Sequence, residues 1–431
     1  MSTIRKLLFI GVLFVINDQR AFAQQPSMQI DGMVVNAKDQ TPLVGASVYL
    51  DHTTIGTITS DSGSFSIDDL PAGNYNMVVS YVGYEPLSFP VSNHSPHANL
   101  RFELRPNTRL LKEVVITGDS HWAEYLSMFK MFFLGSDDNA KQCTIENPDV
   151  LSFHYNDSTY MLRAEADKPL IIDNKALGYK IYYQLTAFVH YTSRTYYSGY
   201  TRFEEMKPAE TQEQKKWKVN REDAYYGSVT HFMRSLVAKQ LRANHFVVKK
   251  LAKVRENLPH HTVLQRWEGD EFRSSDTIVT MRWNGRDYSP SDTTLTRFNI
   301  FNPDDPIPAD QYEWGKMMGF NILYPDKVPY DSMLTRTDST GDDDLSFNNS
   351  LFITYTRKKT YEDYWGYGGI TSLMKMIHRP SFEASIITMK VPRISLDAHG
   401  NLADPNAIVY EGYWARQRVA DQLPFDYSPS K

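Results

Sequence analysis

Apolar and polar positions alternate through the first quarter of the chain, and Gly, Pro, Asp or Asn stops each run within a few residues. Ile30-Asp31-Gly32-Met33-Val34-Val35 is one such run, and Ala46-Ser47-Val48-Tyr49-Leu50 is another. Phe65 and Ile67 alternate with Ser64 and Ser66, and Leu100, Phe102 and Leu104 repeat the pattern. A period of two with punctuation predicts short strands with one buried and one wet face. Asp61-Ser62-Gly63 and Ala72-Gly73-Asn74 read as turns in which glycine supplies a positive φ.

Beyond residue 120 the period changes. Tyr125, Met128, Phe129, Phe132 and Phe133 fall at helical spacing, which predicts a helix near 121–134 with Gly135 as its stop. Leu151, Phe153 and Tyr155, then Tyr160, Leu162 and Ala164, read as two arms of a hairpin around Asn156-Asp157. Tyr179, Ile181, Tyr183 and Leu185 start a long strand that continues through Phe188 to Tyr200. A second helix is predicted near 222–242, with Tyr225, Val229, Phe232, Met233, Leu236 and Leu241 as its apolar stripe. Strands return at Phe246 to Val248, Thr277 to Trp283, Leu351 to Tyr355 and Ile386 to Val391. Residues 302–311 and 334–349, rich in Pro, Asp, Ser, Thr and Asn, read as loops.

The fold class expected is mainly β with an α+β C-terminal part. Residues 1–23 read as a cleaved signal peptide: Arg5 and Lys6 precede the apolar Leu7 to Ile16, and Ala21-Phe22-Ala23 has the small-x-small form of a cleavage site. The apolar run is too short for a spanning helix, and no later run approaches that length, so no transmembrane segment is expected after cleavage. The chain is thus expected in the periplasm, at the outer membrane or on the cell surface. A net charge of -5 speaks against nucleic acid as partner. The single cysteine, Cys143, allows no internal disulfide and reads as a buried, inert thiol.

Gly32, Val34-Val35, Pro42-Leu43-Val44-Gly45-Ala46-Ser47-Val48, Thr59-Ser60-Asp61-Ser62-Gly63-Ser64-Phe65, Leu70-Pro71-Ala72-Gly73-Asn74-Tyr75 and Tyr81-Val82-Gly83-Tyr84 form a dense, ordered set. With it, residues 28–105 resemble the carboxypeptidase regulatory-like domain. The resemblance implies a seven-stranded prealbumin-like β-sandwich. Leu111-Lys112-Glu113-Val114-Val115-Ile116-Thr117-Gly118, inside an expected linker at 106–120, resembles the segment that follows this domain in exported Bacteroidota proteins, TonB-dependent receptors among them. Residues 121–431 are then a larger β-rich domain with a helical insertion. Phe133-Leu134-Gly135, Asn174-Lys175-Ala176-Leu177-Gly178-Tyr179 and Gly412-Tyr413-Trp414 resemble exported Bacteroidota proteins that carry this domain. That group implies no established activity.

The chemistry-bearing motifs are sparse. His121-Trp122-Ala123-Glu124 has an H-x-x-E spacing that a distant His190 or His231 would complete as a zinc set. It reads better as a helix-start histidine and a solvated glutamate, and His260-His261 as an exposed loop pair. There is no G-x-S-x-G and no phosphate-cradling glycine loop. Asp338 and Asp342-Asp343-Asp344 miss the spacing of a calcium loop and read as a solvated acidic loop. Asp157-Ser158-Thr159, Asp276-Thr277-Ile278 and Asp331-Ser332-Met333 resemble short O-glycosylation acceptors of exported Bacteroidota proteins. No catalytic set, cofactor or metal is expected.

Aromatic clustering is the remaining signal. Tyr179, Tyr182, Tyr183, Tyr191, Tyr196, Tyr197 and Tyr200 crowd one hairpin, and Tyr361, Tyr364, Trp365 and Tyr367 crowd a later Gly-rich loop. Rings offered on strands or loops stack on sugars or peptides; the same rings also stabilise half-buried strand pairs. Tyr196, Tyr197, Tyr200, Tyr364, Trp365 and Tyr367 are the candidate ligand-binding residues. The function expected is a non-catalytic exported scaffold or binding protein with a glycan, peptide or outer-membrane protein as partner. The alternatives are an accessory of a TonB-dependent uptake system and a hydrolase whose site the sequence does not display.

Overall fold

The structure, a computed structural model, describes residues 27–71, 73–92, 99–107, 121–191, 194–252, 264–268, 271–275, 281–283, 286–288, 322–336, 342–360 and 381–429. The described chain is mainly β. Seven strands come first: β1 (Ser27–Asn36), β2 (Ser47–Leu50), β3 (Gly56–Ile58), β4 (Ser64–Pro71), β5 (Tyr75–Ser80), β6 (Leu87–Val91) and β7 (Leu100–Leu104). They form a three-stranded sheet, β4-β1-β7, and a four-stranded sheet, β3-β2-β5-β6. Alternation points Phe65 and Ile67 of β4 inward and leaves Ser66 and Asp68 exposed, and a bulge at Asp69, at φ +55°, then turns Leu70 inward as well. Ile30, Leu50, Leu70, Met77 and Leu104 are fully buried between the sheets. Burying each such side chain contributes roughly 1.5–3 kcal/mol.

Gly63 takes the expected positive φ. Gly73 does not, and its reason is different. A Cβ there would stand 2.7 Å from the Asp397 Oδ2 atom of a distant segment. Another part of the chain lies against Gly73 and leaves no room for a side chain.

The next sheet holds six strands: β8 (Cys143–Ile145), β9 (Leu151–Asn156), β10 (Met161–Ala166), β11 (Leu170–Asn174), β12 (Tyr179–Tyr191) and β13 (Arg194–Glu205). The long β12 organises it. One edge of β12 pairs with β11 at its start and with β10 at its end, and its other edge pairs with β13 along its length. Helix α1 (Trp122–Phe133) covers one face. Its buried Phe129 and Phe133 meet Phe188 and Tyr183, with centroids 4.7 and 4.9 Å apart.

The helix expected near 222–242 is two helices, and the first starts earlier. Helix α2 spans Thr211–Tyr225 and α3 spans Val229–Val237. Gly227, at φ +95°, breaks the path. Ser228 then caps α3 by accepting the His231 N–H at 3.1 Å. Of the expected stripe, Val229, Phe232, Met233 and Leu236 lie within α3; all its members are buried except Val229, which is half-buried.

Helix α3 packs on a third sheet. Strands β14 (Phe246–Ala252), β19 (Ile322–Lys327), β22 (Ser350–Thr360), β23 (Ser381–Met389) and β25 (Ile408–Gly412) run in the order β19-β14-β22-β23-β25. Two hairpins, β15–β16 (Leu264–Glu268, Glu271–Ser275) and β17–β18 (Met281–Trp283, Arg286–Tyr288), stand between β14 and β19 in sequence. A small sheet joins β20 (Leu334–Arg336), β21 (Asp343–Leu345) and β24 (Ile394–Leu396). Part of the expected loop at 334–349 is therefore strand. Asp342 is not solvated: it is 8% exposed and lies among Asn74 Nδ2 and Ser395 Oγ. Residues 302–311, 338 and 260–261 lie outside the described residues.

The β-sandwich is joined to the rest by backbone. Its β2–β3 turn runs along the free edge of β13. His52 N donates to Thr201 O at 2.7 Å, Phe203 N donates to Thr53 O at 2.9 Å, and Thr53 bridges Arg202 in parallel. Asp51 Oδ1 accepts the Thr201 N–H at 2.6 Å. At the β4–β5 turn, Asn74 N donates to Asp397 Oδ2 at 2.8 Å. The C-terminal segment straps these parts together. Ala420 N donates to Leu134 O, Phe425 N to His52 O, and Asp426 accepts from Thr54. Arg234 of α3 donates to the carbonyls of Phe425 and Tyr427 at 2.7 and 2.8 Å.

Candidate functional site

A strand sends successive side chains to opposite faces, so the register of β12 and β13 divides the tyrosines of this hairpin. Ile181, Tyr183, Phe188, Tyr197 and Phe203 face α1 and the core. Tyr182, Gln184, Tyr196, Ser198, Tyr200 and Arg202 face the other way. No helix is described against that outer face, and its residues are half-buried or exposed.

The outer face is organised by cross-strand contacts. The Arg202 guanidinium lies over the Tyr182 ring, 4.0 Å from its centroid. The Tyr182 hydroxyl donates to Glu204 Oε2 at 3.1 Å. Thr186 and Ser198 share a hydrogen bond of 2.9 Å across the pair. On the neighbouring strand pair, Lys180 meets Asp173 at 3.1 Å. Tyr196 stands 59% exposed, and Tyr200 follows it two positions beyond Ser198 on the same face. The face ends at two adjacent hairpin tips, because Met161 of β10 pairs with Tyr191 of β12. Those tips carry Tyr160 and Tyr191, 65% and 40% exposed. At the other end the face runs up to the sandwich. The Tyr49 hydroxyl, driven upward in pKa by burial first and then by the Asp51 carboxylate, lies within electrostatic reach of Tyr200 and Arg202.

Tyr196 and Tyr200 are thus brought together. Tyr197 is not with them: its ring packs edge-on against Phe133 at 5.3 Å, and burial raises its phenol pKa. Tyr364, Trp365 and Tyr367 lie outside the described residues. Tyr182 belongs to the tyrosine cluster of the sequence, whereas Arg202 stands outside it. The signal for both was the period of two, since 182, 200 and 202 share a face once the hairpin register is drawn.

The histidines and acids are distributed as structural groups. His121 and Glu124 are exposed at the start of α1. His190 stacks on Phe132 at 3.5 Å and shares a hydrogen bond with Thr195 at 2.9 Å. His231 is pushed down to about 4 by burial, with Arg234 as the next cause, and its Nδ1 accepts the Gly227 N–H at 3.1 Å. Cys143 is half-buried and its thiol is pushed up to about 12 by burial. Asp421 of the C-terminal strap is pushed up to about 7 by burial, then by the neighbouring Asp137 carboxylate, while Asn139 donates to its Oδ1 at 2.9 Å. Among the described residues no group of three or more His, Cys, Asp or Glu is placed to hold a metal ion, and no helix is long and apolar enough to cross a membrane.

Residues 30–116 match the CarboxypepD_reg-like domain family, and the β-sandwich is such a domain. The chain is 33% identical over 148 residues to the TonB-dependent receptor SusC of Bacteroides thetaiotaomicron. That match takes in 34% of this chain but only 13% of the receptor. Two solved structures overlap parts of the chain. A DUF3823 family protein from Bacteroides ovatus is 12% identical, with a TM-score of 0.15 over 43% of this chain and 83% of that one. A streptococcal ancillary pilin is 18% identical, with a TM-score of 0.16 over 19% of this chain and 30% of that one. Scores this low establish neither a shared fold nor a shared role.

Proposed function

We propose that the chain is a non-catalytic exported envelope protein that binds a glycan on the outer face of the β12–β13 sheet. One observation carries this: Tyr182, Tyr196 and Tyr200 share a sheet face that no described helix covers, interleaved with Gln184, Ser198 and Arg202. Ring faces stack on the apolar faces of sugars, and flanking amide, hydroxyl and guanidinium groups fix the hydroxyls. The signal sequence and the CarboxypepD_reg-like domain support an address outside the cytoplasm, in the periplasm or at the outer membrane. Joined to β13 by backbone hydrogen bonds, the sandwich acts as a scaffold that holds one end of the face. An oligosaccharide array probed with the mature chain is expected to return hits that Tyr196→Ala with Tyr200→Ala abolishes. An array without hits, or hits indifferent to those changes, overturns the reading.

The similarity to SusC favours a second reading, an accessory of a TonB-dependent outer-membrane system. Cross-linking in intact cells followed by mass spectrometry tests it. Recovery of a barrel protein supports this reading, and recovery of none removes it.

A further inference from the structure

A concavity lies away from the aromatic face, between α2 and the C-terminal strap. It is an open cleft of about 360 Å3. That is within the range of small-ligand sites, ~300–1,000 Å3, and holds a single sugar ring with its substituents. One wall is a stripe of α2 at positions 211, 214, 215 and 218, the i, i+3, i+4, i+7 spacing that puts residues on one helix face. Met206 and, from the strap, Tyr427 and Ser428 line the rest.

Helix α2 and the strap are both fixed. Trp217 Nε1 donates to Lys175 O at 2.9 Å and Asn220 Nδ2 to Ala176 O at 2.8 Å, which pins α2 to the β11–β12 turn. Arg234 holds the strap through the Tyr427 carbonyl at 2.8 Å. Site walls ordered before binding spare the ligand that cost.

The charge of the cleft is positive. Arg221, at its base, lies over the Tyr179 ring and donates to the carbonyls of Leu177 and Gly178. Its remaining nitrogen meets Glu205 at 3.1 Å, which neutralises the one acid among the lining residues. Lys215 and Lys218 remain to set the sign. Lys215 is exposed and makes no ion pair among the described residues, while Lys218 pairs with Glu222 at a loose 4.0 Å and stays 58% exposed. Thr211, Gln214 and Ser428 add neutral hydrogen-bonding groups. The Tyr427 hydroxyl, pushed up to about 12 by burial and then by Glu222, stays protonated as a donor.

We infer that this cleft binds a small polyhydroxylated carboxylate, the chemistry of a uronic acid: Lys215 and Lys218 take the carboxylate, and the hydroxyl and amide groups take the ring hydroxyls. Charge-assisted contacts are the stronger ones, so the carboxylate sets the affinity and the hydroxyls set the selectivity over simple acids.

Calorimetric titration of the mature chain with galacturonate, galactose and acetate tests this. Galacturonate is expected to bind saturably at millimolar concentration, with galactose and acetate each weaker by about tenfold or more, and added salt weakening binding. Lys215→Ala with Lys218→Ala is expected to cost about tenfold or more for galacturonate. Both side chains are exposed, so the melting temperature should hold, and Tyr196→Ala with Tyr200→Ala should leave this binding intact. No saturable binding, equal binding of galactose, or indifference to the lysine changes overturns the cleft. Loss on the tyrosine changes alone would assign the binding to the sheet face instead.

Discussion

Replacing Asp421 by Asn is expected to make the protein more stable in alkali and to leave it nearly unchanged below pH 3.8. Asp421 sits in the C-terminal strap beside Asp137, with Asn139 donating to its Oδ1 at 2.9 Å. Burial first and the Asp137 carboxylate second move its pKa from 3.8 to about 7. Each tenfold change in proton affinity is worth about 1.4 kcal/mol, so the ionised strap is disfavoured by roughly 4 kcal/mol relative to the unfolded chain. The folded pKa lies above the unfolded one. The proton's contribution is therefore fully present below pH 3.8 and is lost as pH rises through 7. An asparagine keeps an acceptor for Asn139 and offers Asp137 an N–H in place of the shared proton. His52 and His231 titrate in both proteins and cancel in the comparison. The assay is denaturant unfolding of wild type and Asp421→Asn at pH 5 and pH 9, with limited proteolysis of the strap alongside. The loss runs at about 1.4 kcal/mol per pH unit from pH 3.8 up to about 7, so the variant's advantage should already be present at pH 5 and should grow by about 3 kcal/mol by pH 9, with the wild-type strap more protease-sensitive at the higher pH. A gap independent of pH, or a variant weaker at pH 9, refutes the reasoning.

Two further outcomes follow from the junctions. Arg234→Ala removes donors to His399, Phe425 and Tyr427 at 3.1, 2.7 and 2.8 Å, so amides of residues 420–428 should lose hydrogen-exchange protection worth about 2–4 kcal/mol, while β1–β7 keep theirs. Gly73→Ala drives a methyl to within 2.7 Å of Asp397 Oδ2, so it should loosen the sandwich from the β21–β24 sheet and lower the first melting transition, whereas Gly45→Ala, in open space but at φ +75°, should cost only about 1 kcal/mol of local strain.

The sandwich was legible because its period of two is clean and its stops are frequent; Phe65 and Ile67 alternate with Ser64 and Ser66 and are buried as they should be. Helix α1 was legible for the same reason at a period near 3.6. Helix α2 was not. Residues 211–220, Thr-Gln-Glu-Gln-Lys-Lys-Trp-Lys-Val-Asn, have no apolar stripe to read, and the helix is held by Trp217, Asn220 and Arg221 reaching to carbonyls of the β11–β12 turn. The acidic stretch at 342–344 looked solvated by composition, yet Asn74 and Ser395 meet Asp342 inside. The tyrosine cluster was visible as a cluster, but its division needed the register: adjacent Tyr196 and Tyr197 go to opposite faces. The contacts between the sandwich and β13 are mostly backbone to backbone, and such contacts leave no side-chain signature.

Glycan binding on the outer face of β12–β13 is measured by titration. Isothermal titration would take the strongest array oligosaccharide to wild type, to Tyr196→Ala with Tyr200→Ala, and to Tyr197→Phe. Two lost ring contacts at about 0.5–1.5 kcal/mol each predict roughly tenfold weaker binding for the double variant, with wild-type affinity kept by Tyr197→Phe and an unchanged melting temperature for both. Wild-type affinity in the double variant would contradict binding on this face.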